Sequence, residues 1–412
     1  YYFHAFHKKQ PDLNWENPEL REEIYKMMNW WLDKGLDGFR VDAIINIKKP
    51  LPFRNYPADR ADGLCDLGSV MDRAQGIGEF LREMRDRTFA PHDSFSVGEV
   101  FNIKDSQLND FMGPDGYFSS IFDFSQMEMG KSIKGWYDCK EPRPEDYKNC
   151  CFKSQKKAER IGFFSNIIEN HDEPRGVSYY LPEYARSEKG KKLLAAMYFM
   201  LRGIPFIYQG QELGMENIAF ESMEEVDDVS TIEEYRVARE AGMSEEESLR
   251  AVNLLSRDNT RTPFQWNDGP EAGFTTGKPW LRVNPNYRRI NAAAQEKRDD
   301  SVLSFYKELI RLRKEERLEE AAVYGKTEPV LTEERDIMAY FRRGQGCDLL
   351  VIGNFRSEPA KVALEELKKR QVKLLLTNGE KVVRSRWSPC RQSSWNACKK
   401  ICIYIDRIHI AW

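Results

Sequence analysis

"GLDGFRVDAIINI", residues 35–47, decides the fold. Gly38, Phe39, Val41, Ala43, Ile44 and Ile45 are apolar or small, as in a strand covered on both faces. Arg40 and Asp42 interrupt the run with opposite charges two residues apart. Side chains alternate across a strand, so these two share one face. The ordinary reading is a structural ion pair, which gains little because desolvation offsets the attraction. Whether the pair does more depends on the surrounding chain.

A helix should precede this strand. Asn17 is a good N-cap, Pro18 suits the first helical position, and Leu20, Ile24, Met28 and Trp31 repeat at helical spacing up to Gly35. The alternation then recurs. A helix is expected near 73–88, followed by strand-like "SFSVGEV" (94–100) and "GYFSSIFDF" (116–124). "GFFSNIIENHD" (162–172) follows a polar helical stretch, and the helix 189–202 leads into "GIPFIYQG" (203–210). Helices alternating with short strands predict parallel β/α units. Polar groups gather at the strand ends: Arg40 and Asp42, Glu99, Asp123, His171 and Asp172, Gln209 and Glu212. That pattern predicts part of a (β/α)8 TIM barrel, whose active face is the C-terminal one. Five strands are counted where eight are needed.

Residues 215–292 are acidic and turn-rich and read as an elaborated loop within a barrel domain covering 1–325, closed by a helix over 301–316. A small all-β domain is expected over 326–378. The tail, 379–412, differs: from 382 on it holds six Lys/Arg against one acid, three of nine Trp and three of eight Cys. An out-of-frame end of the gene would account for that composition.

The 412 residues carry 41% hydrophobic and 31% charged side chains and a net charge of −3. No attraction to nucleic acid or an anionic membrane follows from that charge. The longest apolar run, "LLAAMYFML" (193–201), is too short to span a bilayer. The eight cysteines have no metal-ligand spacing, so neither metal site nor cofactor is expected, and a reducing, cytoplasmic setting is. The chain opens as if in mid-domain.

Three strands thus deliver Asp42, Glu99 and Asp172 to one face of the expected sheet. Clustered carboxylates repel, and folding alone does not gather them. Glycoside hydrolysis does need two: one to attack or stabilise the sugar cation, one to protonate the leaving oxygen. The acid needs a raised pKa, which burial and like charges supply. The nucleophile must stay ionised, which Arg40 favours.

"DGFRVDAI", "GEVF" and "ENHDEPR" resemble the strand-four, strand-five and strand-seven motifs of glycoside hydrolase family thirteen, the alpha-amylase family. "QPDLNWENP" (10–18), "IPFIYQGQELGM" (204–215) and "RDNTRTPFQW" (257–266) resemble its oligo-1,6-glucosidase and alpha-glucosidase branch. The resemblance implies a retaining, exo-acting enzyme that releases glucose from short oligosaccharides of maltose or isomaltose type. It implies Asp42 as nucleophile, Glu99 as general acid/base and Asp172 as the third carboxylate. Arg40 would keep Asp42 charged, His171 would donate to the first glucose, and Arg257 would close the pocket. Ala43, directly after the nucleophile, leans toward alpha-1,4 linkages. The family's first three strands, its Asn-His motif and a calcium loop are expected before Tyr1. So is the acid that pairs with Arg257, which leaves Arg257 expected without a partner. Alternatives are an inactive fragment, a non-catalytic relative and a trehalose-6-phosphate hydrolase. Oligomeric state is not indicated.

Overall fold

The computed structural model describes residues 2–59, 63–71, 73–369, 372–379, 400–405 and 408–411. The chain divides into two compact units: Tyr1–Phe122 with Arg160–Ser165, and Asp123–Glu159 with Asn166–Trp412.

The first unit opens with the helix Pro18–Asp33, started by the Asn17 side chain accepting from the Glu19 N–H and ended by Gly35 at φ +92°. Its buried face is Tyr25, Met28 and Leu32 rather than the stripe ending at Trp31, which stays exposed. Both stripes have helical spacing, and the tertiary partners select between them. Strand β1 (Gly38–Val41) follows and pairs in parallel with β2 (Phe95–Gly98), Gly38 opposite Phe95 and Val41 opposite Gly98. Gly38 is required by close approach: a Cβ there would lie 1.6 Å from the Phe95 carbonyl oxygen. β2 pairs in parallel with β3 (Ser120–Ile121), and Phe122 bridges Ser165 in the same sense. The sheet order is β1-β2-β3, as β/α units require. The helix expected near 73–88 begins only at Ile77, because Gly76 sits at φ +87°. It runs to Met84 and continues as a π-helical turn over Arg85–Phe89.

The second unit holds the larger core. The helix Glu188–Phe199 is buried along most of its length, and it packs with Tyr147, Cys151, Val302, Phe305, Leu309 and Tyr340. Paired strand here is short: β4 (Ser165–Asn166) and β5 (Ile204–Pro205) form a two-stranded sheet, the Asn166 carbonyl accepting from the Phe206 N–H. Pro205 lacks an N–H, which limits that ladder. The runs expected as strands at 116–124, 162–172 and 203–210 form strands of only two residues each, with isolated bridges at Phe118 and Phe122 beside the first.

The C-terminal sheet is built from β6 (Lys326–Val330), β7 (Ile337–Arg343), β8 (Cys347–Asn354), β10 (Val372–Thr377) and β11 (Lys400–Ile405), in the order β10-β11-β8-β7-β6. β9 (Ala360–Ala363) pairs separately with β12 (Ile408–Ala411). β6, β7 and β8 are antiparallel, whereas β11 lies parallel to both neighbours. Arg342 is fully buried on β7 and donates to the carbonyls of Met200, Ala322, Val323 and Gly325. Of the tail set apart at 379–412, residues 380–399, 406, 407 and 412 lie outside the described residues. The architecture is thus mixed α/β with a C-terminal β-sheet.

Candidate active site

In the first unit, β1 and β2 bring three of the expected residues together. Arg40 stands on β1, and the chain leaves the strand through Asp42 and Ala43. The Glu99 N–H donates to the Val41 carbonyl at 3.0 Å, extending the ladder by one residue and bringing Glu99 beside Asp42. Arg40 bridges the two acids: Nη1 pairs with Asp42 Oδ1, and Nη2 lies 2.6 Å from Glu99 Oε1. Glu99 Oε2 accepts from the Ala43 N–H at 2.8 Å. Ala43 holds a left-handed φ of +41°, uncommon for a residue with a Cβ. Such strain persists where the surroundings over-determine the backbone. Here the Glu99 contact helps fix it. The two acids differ in exposure: the Asp42 side chain is 73% exposed and that of Glu99 only 6%.

In the second unit, the loop after β4 carries His171 and Asp172, and Arg257 precedes the helical turn Asp258–Arg261. His171 Nε2 lies 3.1 Å from Asp172 Oδ2. Asp172 Oδ1 accepts from Arg257 Nη1 and from Arg261 Nη2, each at 3.1 Å. The expectation that Arg257 lacks a partner is overturned. Besides Asp172, its Nε donates to Asp228 Oδ1 at 2.9 Å, its Nη2 reaches the same oxygen, and Ser230 Oγ lies 3.2 Å from Nη2. The partner comes from within 215–292, the stretch set aside as an elaborated loop.

Four further residues hold or flank this cluster and escaped the sequence reading. Arg261 stands four residues beyond Arg257, a spacing that places both on one helical face, so this signal was available. Asp228 begins a helix, Val229–Glu240, and Thr231 follows three residues on, a capping signature. Arg175 and Glu169, both buried, flank the His171–Asp172 loop. Arg175 Nη1 donates to Glu169 Oε1 at 2.9 Å and to the Gln209 carbonyl at 2.7 Å, while the Gly176 N–H donates to Glu169 Oε2. Burial raises the Glu169 carboxyl above its ordinary range, against the opposing pull of Arg175.

The first cluster presents two carboxylates linked by one guanidinium, the second a carboxylate gripped by two arginines and a histidine. Carboxylates in such settings suit acid/base and nucleophilic work on a polyhydroxylated substrate. Among the described residues, no group of three or more His, Cys, Asp or Glu is arranged to hold a metal ion, and no helix is long and apolar enough to cross a membrane.

Residues 1–322 match the family model "Alpha amylase, catalytic domain". The chain is 40% identical over 364 residues to the probable oligo-1,6-glucosidase 3 of Bacillus subtilis (strain 168), covering 87% of this chain and 64% of that protein. It is 34% identical over 395 residues to the trehalose-6-phosphate hydrolase of the same organism, covering 92% of this chain and 67% of that one. Among solved structures, the trehalulose synthase MutB superposes with a TM-score of 0.79 at 35% identity, over 87% of this chain and 64% of that one.

Proposed function

The chain belongs to the alpha-amylase family of glycoside hydrolases, and from that premise we propose that it acts as a retaining, exo-acting alpha-glucosidase on short oligosaccharides. The observation that carries the proposal is Arg40 held between Asp42 and Glu99. One cation between two acids offsets their repulsion and leaves Asp42 an exposed oxygen for attack. Asp42 attacks the anomeric carbon and forms a glycosyl ester, while Glu99 gives a proton to the leaving glycosidic oxygen. Glu99 then takes a proton from water, which attacks the ester and releases glucose with its original configuration. In the second unit we assign Asp172 to sugar hydroxyls, His171 to a donor role beside it and Arg257 to the cation that grips Asp172. We assign β1 to β5 to strands four to eight of a (β/α)8 barrel, an assignment supported by the matched family and by the parallel pairing of β1, β2 and β3.

For linkage, the relatives named oligo-1,6-glucosidase, at 36–40% identity, favour isomaltose-type substrates. Ala43 leans toward maltose, but a methyl-scale difference discriminates by only about 1–3 kcal/mol. The likeness to a trehalose-6-phosphate hydrolase gives a second reading. Cysteines 65, 139, 150, 151 and 347 are free thiols, which supports a reducing, cytoplasmic setting. The test is a panel of isomaltose, maltose and trehalose-6-phosphate with the purified chain and its Asp42→Asn variant. Isomaltose cleavage lost in the variant is the expected result. Faster trehalose-6-phosphate cleavage favours the second reading, and a folded chain inert to all three removes the assignment.

A further inference from the structure

The acidic residue that grips Arg257 has no part in the roles above, and its two oxygens divide their work. Asp228 Oδ2 accepts from the Thr231 N–H at 2.9 Å and the Thr231 hydroxyl at 2.7 Å, the hydrogen bonds of a helix cap. Asp228 Oδ1 serves the arginines: Arg257 through Nε and Nη2, and Arg261 through Nη1 at 3.5 Å. Its side chain is only 1% exposed.

The backbone beneath it is pinned as well. The Asp227 and Asp228 N–H groups donate to Asp258 Oδ2 at 2.8 and 2.9 Å, and Asp258 directly follows Arg257 in the chain. The Trp280 indole N–H holds the Asp227 side chain at 2.8 Å. The same two guanidinium groups that meet Asp228 Oδ1 also meet Asp172 Oδ1. Two arginines are thus stretched between one buried carboxylate and one functional carboxylate.

We infer that Asp228 is a positioning residue, which holds Arg257 and Arg261 at a fixed distance from Asp172 and so keeps Asp172 oriented toward the sugar. Capping alone does not require the arginine-facing oxygen. Without that oxygen, Arg257 and Arg261 are free to collapse onto Asp172 and occupy the lone pairs that sugar hydroxyls need. The electrostatics agree: burial opposes ionisation of Asp228, but the hydrogen bonds from Arg257 and Thr231 outweigh it and hold the carboxyl below its ordinary range.

The inference rests on the proposed glucosidase reading, and Asp228→Asn tests it. Asparagine caps a helix about as well as aspartate, so the oxygen facing Thr231 is kept while an amide NH₂ replaces the oxygen facing the arginines. With nitrophenyl alpha-glucoside, Asp228→Asn should lower kcat/KM at least tenfold. Added to a variant carrying both Arg257→Gln and Arg261→Gln, it should cause no further loss, because it acts through those two arginines. Losses that multiply in the combined variant overturn the inference, since they mean Asp228 acts by another route. If the unaltered chain does not turn over the glucoside, the functional reading fails, and the inference is then decided by NMR of ¹⁵N-arginine-labelled protein. A shifted Arg257 Nε–H signal in Asp228→Asn supports the positioning role, and an unchanged one overturns it.

Discussion

Asp42 and Asp228 are both aspartates paired with arginine, yet their surroundings separate their tasks. Asp42 is 73% exposed, so its oxygens can reach a substrate, whereas Asp228 is 1% exposed and can only act on its neighbours. Hydrogen bonds from Arg257 and Thr231 outweigh the opposing effect of burial and make Asp228 a source of pH-dependent stability. Its folded pKa lies below the unfolded value near 3.8, so its contribution is full above that value and is lost as pH falls through the folded pKa. Urea midpoints of the native chain should therefore fall more steeply below about pH 4 than those of Asp228→Asn. Parallel curves would show that Asp228 adds nothing in that window. Period-two alternation and strand ends single out Arg40, Asp42 and Glu99 in the sequence, and the pairing of β1 with β2 brings these three together, whereas His171 and Asp172 lie in the loop beyond β4. Asp228 is not singled out. It lies in an acidic, turn-rich stretch where one carboxylate among many carries no mark of its own, and only the capping pattern with Thr231 sets it apart.

At the scale of elements, local chemistry was the better guide and ladder length the poorer one. The first helix begins where Asn17 and Pro18 place its start, because the cap contact is between residues two apart. Asn17→Ala should cost about 1 kcal/mol in urea unfolding, the usual worth of such a cap. An unchanged midpoint would mean that packing alone fixes the helix start. Trp31 shows where local reading stops. Two stripes of helical spacing share that helix, and burial goes to Tyr25, Met28 and Leu32. The strands were placed in the right runs but drawn too long. Apolar alternation shows where a chain is extended, not where a neighbour's N–H groups are in register with it.

At the scale of the whole molecule, the chain forms two compact units, and two-state unfolding is not the rule for such chains. Calorimetry should resolve two transitions. Asn17→Ala should lower one. Arg342→Met should lower the other, since it leaves the carbonyls of Met200, Ala322, Val323 and Gly325 without their donor. A single transition shifted alike by both variants would show one cooperative unit. Composition carries no mark of this division, because the first unit takes in Arg160–Ser165 from beyond a helix that belongs to the second.

On the proposed reaction, Asp42 forms a glycosyl ester which Glu99 then helps water to open. The most direct measurement is ¹H NMR of the glucose first released by the purified chain from nitrophenyl alpha-glucoside, which yields a single glucose per turnover. Alpha-glucose should appear before mutarotation, and none should be released by Asp42→Asn. Beta-glucose as the first product, or release that survives Asp42→Asn, contradicts it.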